Sequence, residues 1–262
     1  MPNPHGSFIW YELMTPDAAG SKAFYDSVVG WQIASDPVAP GLEYRMIVRS
    51  DGGNAGGMMT LDPAMTAHGA RPAWFGYVGV DDVDATVAQA TSAGASVLMP
   101  PWDQPGVGRL AMIADPQGNP LYLMTPLPPE GDPDASSDVF SPDAMQRVAW
   151  NELSTTDPAA ARRFYGDLFG WTSDEFMPMG EHGEYRFIVH GGTTIGAIFG
   201  VMPGGSPKWR YYVRVPSIAT AVEAVKAGGG AVTAGPHEVP GGDQIVIGND
   251  PQGAEFALVG KA

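Results

Sequence analysis

Two glutamates each stand two residues after a tryptophan, in Trp10-Tyr11-Glu12 and in Trp150-Asn151-Glu152. In a strand, side chains two apart share a face, so each carboxylate lies on the same side as an indole. A carboxylate facing aromatic surface is costly unless it is paired or solvated. Glu12 and Glu152 are therefore candidates for a general base with a raised pKa, or for an acceptor of a ligand's N–H, O–H or positive charge. Equally, each glutamate can be structural, held by backbone N–H groups or by an arginine.

Other reactive types offer less. With no cysteine in the chain, disulfides, thiol catalysis and iron–sulfur chemistry are excluded. His5, His68, His182, His190 and His237 form no HxxxH or HxH spacing and read as solvated, a His182–Glu184–His190 metal site being the weaker reading. The glycine runs at 51–57 and 227–230 lack a GK[ST] or GxGxxG frame, so they read as hairpin and helix-end glycines. Met58, Met59 and Met99 sit in strand patterns and read as core.

These residues recur because the chain is duplicated. Residues 10–31, WYELMTPDAAGSKAFYDSVVGW, match 150–171, WNELSTTDPAAARRFYGDLFGW. EYRMIV at 43–48 meets EYRFIV at 184–189, and DPQG at 115–118 meets DPQG at 250–253. Matches in one order with drifting offsets mean a repeat with loop insertions. The stretch 127–145 is rich in Pro, Asp and Ser without periodicity and reads as a linker, giving domains at 5–126 and 146–262.

Within each copy a β-α-β-β-β rhythm runs twice. The first copy predicts strands near 7–14, 31–35, 43–49, 55–60, 73–80, 95–99, 109–114 and 119–124, with helices at 18–29 and 83–93. Asp17 and Asp82 are the helix caps, Gly30 ends the first helix, and Ala19, Phe24, Val28 and Val29 form its apolar side. The second copy predicts helices near 157–169 and 217–228. The 35 glycines and 25 prolines suit many turns between short strands.

Acidic residues outnumber basic ones 29 to 14, for a formal charge of −15. That argues against nucleic acid and anionic membranes as partners. No apolar run spans a membrane and the N-terminal residues carry no leader pattern, so a cytoplasmic location is the simplest expectation.

The module order, with FY-x4-GW closing the first helix and DPQG opening the last strand, resembles the vicinal oxygen chelate superfamily of glyoxalases, bleomycin resistance proteins and extradiol dioxygenases. The resemblance implies an α+β fold of two tandem domains, each of two βαβββ modules forming an eight-stranded cup that holds a ligand. It also implies an intramolecular pseudo-dimer, and hence a monomeric chain.

Superfamily enzymes hold a divalent metal with His or Glu at three places per domain. Here those places carry Trp10, Phe75 and Tyr122, and then Trp150, Arg210 and Ala257. None suits a hard cation, so no metal or other cofactor is expected. Cup one would contain Trp10, Phe75, Tyr77 and Tyr122 around Glu12. Cup two would contain Trp150, Glu152, Arg210 and Tyr212, with Glu255 two residues before Ala257. Arg210 either pairs with Glu152 or binds a ligand's carboxylate or phosphate. The expected partner is a small planar or aromatic molecule, bound without metal. The alternative is a lyase, isomerase or glyoxalase-type enzyme with Glu12 or Glu152 as base.

Overall fold

The computed structural model describes residues 3–262, so Met1 and Pro2, part of the stretch read for a leader, lie outside the described residues. The first copy runs β1 (Phe8–Thr15), α1 (Ala18–Val29), β2 (Gln32–Ile33), β3 (Tyr44–Val48) and β4 (Asn54–Thr60). A short helix α2 (Pro63–Ala67) follows, then β5 (Ala73–Gly79), α3 (Val83–Ser92), β6 (Ser96–Gln104), β7 (Gly108–Ala114) and β8 (Pro120–Pro126). The second copy repeats the order: β9 (Val148–Thr155), α4 (Pro158–Phe169), β10 (Phe176–Pro178), β11 (Glu184–His190), β12 (Thr193–Gly200), β13 (Lys208–Ser217), α5 (Ile218–Ala227), β14 (Ala231–Glu238), β15 (Gln244–Asn249) and β16 (Glu255–Lys261).

The strands form two eight-stranded mixed sheets, ordered β2-β3-β4-β1-β5-β8-β7-β6 and β10-β11-β12-β9-β13-β16-β15-β14. Both are open, since neither order returns to its first strand. The fold is α+β with two tandem βαβββ pairs. No helix among the described residues is long and apolar enough to cross a membrane.

Local chemistry explains the helices. Asp17, Asp82, Asp157 and Ser217 accept from the backbone N–H of Gly20, Ala85, Ala160 and Thr220, closing the free donors of α1, α3, α4 and α5. Gly30 and Gly170 end α1 and α4 at φ 81 and 71, a left-handed turn that a side chain resists. The inward face of α1 is Ala18, Ser21, Phe24, Tyr25, Val28 and Val29; Ala19 points outward, one position off the predicted stripe.

Strand β6 departs most from expectation. It continues through Pro100 and Pro101 to Gln104, because register shifts at 97–99 and 99–102 excuse the prolines from the ladder on an edge strand. Met58 is buried and Met59 partly so, but Met99 is 40% exposed on that edge and is not core.

Two compact units cut across the sequence repeat. One comprises the described residues up to Ile9, Gly76–Ser137 and Trp150–Arg210; the other comprises Trp10–Phe75, Asp138–Ala149 and Tyr211–Ala262. In the first unit the Tyr165 hydroxyl donates to Asp115 at 2.9 Å and accepts the Trp209 indole N–H at 3.2 Å. Trp171 stacks on Phe8 and donates to the Gly6 carbonyl. His190 bonds the His5 carbonyl and His5 bonds the Leu168 carbonyl, so these two histidines fasten the N-terminal segment and are not simply solvated.

In the second unit the Tyr25 hydroxyl donates to Asp250 and accepts from Trp74, both at 3.0 Å, while Phe24 lies 5.6 Å from Phe256. Buried Arg49 pairs with Asp138, and the Trp31 indole donates to the Gln146 carbonyl, which fixes the segment before β9. FY-x4-GW thus meets the DPQG turn of the other repeat in each unit.

Candidate functional site

In the second unit Trp10 and Glu12 share a face of β1. Glu12 is 2% exposed and Trp10 is half-buried. The Trp10 indole donates to the Tyr44 hydroxyl at 2.7 Å. Tyr44 lies on β3, one strand beyond β4, so its ring must pass over β4 to get there. Gly57, level with Glu12 in the β1–β4 register, makes that crossing possible. A Cβ on Gly57 would stand 1.9 Å from the Tyr44 hydroxyl, so any side chain there would displace the phenol. Phe75, on β5, is partly exposed.

The first unit contains the matching set from the other repeat. The Trp150 indole donates to the Tyr185 hydroxyl at 2.7 Å, and that hydroxyl donates to Glu152 Oε2 at 2.8 Å. Arg210 Nη1 donates to Glu152 Oε1 at 2.6 Å. Of the two readings of Arg210, the internal ion pair forms. Its side chains keep only 16% and 9% exposure, so the pair is largely desolvated. The Trp150 and Tyr185 rings are near parallel, and Phe199 tilts against Tyr185 at 5.3 Å.

The same unit holds Tyr77 and Tyr122, level with each other on parallel β5 and β8. Their rings stack at 4.3 Å with 7° between planes. The Tyr122 hydroxyl donates to the Met99 sulfur at 3.7 Å, and Trp102 meets Tyr122 edge-on. In the other repeat, Tyr212 is buried in the second unit and level with Ala257, so no corresponding tyrosine stack forms.

Of the expected residues, one unit therefore gathers Trp10, Glu12, Phe75 and Tyr212, and the other Tyr77, Tyr122, Trp150, Glu152 and Arg210. Sequence reasoning missed Tyr44 and Tyr185 as members of the site. The signal was present: EYRMIV and EYRFIV repeat at nearly the same offset as the tryptophans. It marked a strand without showing that its tyrosine reaches the indole. His182, Glu184 and His190 do not converge, and among the described residues no three His, Cys, Asp or Glu side chains are grouped to hold a metal.

Residues 7–123 match the Glyoxalase/Bleomycin resistance protein/Dioxygenase superfamily, and residues 150–259 match a glyoxalase-like domain. The anthracycline biosynthesis protein DnrV of Streptomyces peucetius is 30% identical over 97% of this chain and 93% of its own. The chain belongs to the glyoxalase/bleomycin resistance/dioxygenase superfamily.

CFP32 of Mycobacterium tuberculosis, provisionally named a glyoxylase, is 29% identical over 97% of this chain and 94% of its own. Two structures of this superfamily share the fold. A Mn(II)-bound glyoxalase from Novosphingobium aromaticivorans has a TM-score of 0.65 at 16% identity, covering 99% of this chain and 83% of its own. A homoprotocatechuate 2,3-dioxygenase variant from Brevibacterium fuscum has a TM-score of 0.68 at 17% identity, covering 99% and 73%.

The superfamily's metal does not fit this chain's residues. The six ligand places carry two indoles, a phenyl, a phenol, a guanidinium and a methyl group, and the one guanidinium is committed to Glu152.

Proposed function

We propose that this chain binds a small planar organic molecule against its aromatic faces without a metal. One observation carries the reading: an indole–phenol hydrogen bond at 2.7 Å beside a buried glutamate, built in both repeats. An indole fixed by its N–H presents a rigid face to a ring, and stacking adds about 0.5–1.5 kcal/mol to the area term. The Streptomyces relative is named for anthracycline biosynthesis, which places a small organic molecule in its setting. The proposal sets this binding in the cytoplasm, in a single chain without macromolecular partners.

The test is a tryptophan-quenching titration with planar catechols, quinones and fused-ring aromatics, before and after chelator treatment. Saturable quenching unchanged by chelator is expected. No saturation by any compound, or binding that appears only with added divalent metal, overturns the reading.

A second reading is favoured by the burial of Glu12 among aromatic groups and by the glyoxylase name of the mycobacterial relative. Glu12 or Glu152 would serve as general base in a lyase, isomerase or glyoxalase-type step. Glu152 suits this role less, since Arg210 and Tyr185 hold both its oxygens. Turnover of a hemithioacetal that is lost in Glu12→Gln and kept in Glu152→Gln is the expected result for this reading.

A further inference from the structure

Helices α1 and α4 differ at one position that removes an internal carboxylate. In α1, Lys22 and Asp26 stand one turn apart on one face, and Lys22 Nζ donates to Asp26 Oδ2 at 2.5 Å. The other oxygen, Oδ1, accepts the backbone N–H of Ile33 at 2.9 Å. A carboxylate thus fills a slot between a side-chain cation and a backbone donor just past the helix.

The second repeat keeps both sides of this slot and omits the carboxylate. In the alignment that matches Trp10 with Trp150, Arg162 stands for Lys22, Gly166 for Asp26 and Ser173 for Ile33. The backbone is held alike in both: Gln32 is level with Val48 on β3, and Thr172 exchanges both backbone hydrogen bonds with Val189 on β11. The Ser173 N–H is therefore directed toward position 166, as that of Ile33 is toward Asp26. Among the described residues no acceptor meets the Ser173 N–H, and Arg162 makes no ion pair; its Nε donates to the Pro158 carbonyl at 3.4 Å.

Arg186 borders the slot from β11. Its Nη1 donates to the Ser173 carbonyl at 3.2 Å, and its Nε donates to Glu184 at 2.7 Å. Arg162 is half-buried. Burial, then the charge of Arg186, pull it below the ordinary arginine pKa, with Arg163 adding to this and Glu184 opposing it. An anion between the two guanidinium groups relieves their repulsion.

We propose that Arg162, Arg186 and the Ser173 N–H form a site for the carboxylate of a small molecule, set where the other repeat carries its own Asp26. A guanidinium fork and a backbone N–H are the donors that carboxylates accept best. The net charge of −15 opposes anions in general, so recognition rests on these local donors. The site stands independently of the planar-ligand reading.

Proton–nitrogen correlation spectra of the full chain, titrated with sodium acetate against sodium chloride at equal ionic strength, test the proposal. Acetate should shift the Ser173 amide to saturation, and chloride should not. Arg162→Leu should weaken acetate at least roughly tenfold. Gly166→Asp restores the internal carboxylate; its Cβ stands 3.1 Å from the Trp171 carbonyl, which a small shift absorbs. That variant should lose the acetate response and show the Ser173 amide already at its acetate-bound position. Asp26→Gly should create a second acetate response, at the Ile33 amide.

An equal response of the Ser173 amide to both salts in the unaltered protein overturns the proposal, as does no response to either. A saturable acetate response that survives undiminished in folded Arg162→Leu or folded Gly166→Asp also overturns it. If melting curves show that neither variant folds, the comparison of the two salts on the unaltered protein decides the matter.

Discussion

The Tyr25 hydroxyl donates to the Asp250 carboxylate at 3.0 Å across 225 positions of sequence. Burial pushes the Asp250 carboxyl above the ordinary carboxylate range, outweighing the hydrogen bonds from Ala254, Tyr25 and Gln252 that pull it down. Burial likewise raises the Tyr25 hydroxyl well above its usual value. A carboxyl whose folded pKa is raised binds its proton more tightly folded than unfolded. Its ionisation then costs stability at neutral pH, and the cost is relieved as pH falls through the folded pKa. Asp250→Asn should flatten this part of the stability–pH curve just above the ordinary carboxylate range, in urea melts. An unchanged slope there would count against the assignment.

Tyr25→Phe removes an acceptor from Trp74 and a donor from Asp250. A loss of about 1–3 kcal/mol is expected, since two buried groups lose a partner. Tyr165→Phe should cost a similar amount, because Trp209 and Asp115 are left in the same condition. Chemical denaturation of both variants checks the pair.

Arg210→Met leaves Glu152 with Tyr185 but without its counter-ion. The expected loss is about 3 kcal/mol, the lower end for a buried pair, because the guanidinium keeps some contact with water. The double variant Arg210→Met with Glu152→Leu should recover part of that loss. A double variant as unstable as the sum of the single changes would show that the pair is not coupled.

Gly57→Ala tests the crossing of Tyr44. The added methyl forces the phenol off the Trp10 indole, with an expected loss of about 1 kcal/mol for one hydrogen bond. Ligand binding should fall more than stability does, because the indole loses its fixed orientation. Wild-type quenching by a planar compound in this variant would remove Tyr44 from the site.

Trp10→Ala should weaken a planar ligand by about 1–3 kcal/mol, and Trp150→Ala should affect that ligand less. If Trp10 is instead only core, its loss would cost about 3–5 kcal/mol of stability without affecting a ligand specifically. Its half-buried position favours the first outcome. Thermal melts and titrations run side by side separate the two.

The helices and most strands were legible in the sequence because their signals are local. Asp17, Gly30, Asp82 and Gly170 act within a few residues of the backbone they cap. The alternation that placed Trp10 with Glu12, and Trp150 with Glu152, is equally local, whereas the expected grouping of Arg210 with Tyr212 does not hold, since the two fall in different units. The partners of these residues were not legible. Tyr44 meets Trp10 only because Gly57 leaves a gap on the strand between them, a fact that lies in three separate segments. Met99 looked like core because its strand is apolar, yet edge position and two prolines decide its exposure. DPQG reads as a turn that opens a strand. Its Asp accepts from the tyrosine of the other repeat across 50 and 225 positions of sequence, a pairing that no local pattern carries.

The division of the chain into compact units sets an order in which the protein can be made. The first unit takes no residue beyond Arg210, whereas the second needs the segment from Tyr211 to the end. On a ribosome, Tyr165 has Asp115 and Trp209 available while Tyr25 still waits for Asp250 to emerge. The first helix to be synthesised thus has Trp31 and Trp74 beside Tyr25 early, but stays without Phe256 and Asp250 until the last strands leave the exit tunnel, which leaves Phe24 as an apolar face that a chaperone can hold in the meantime.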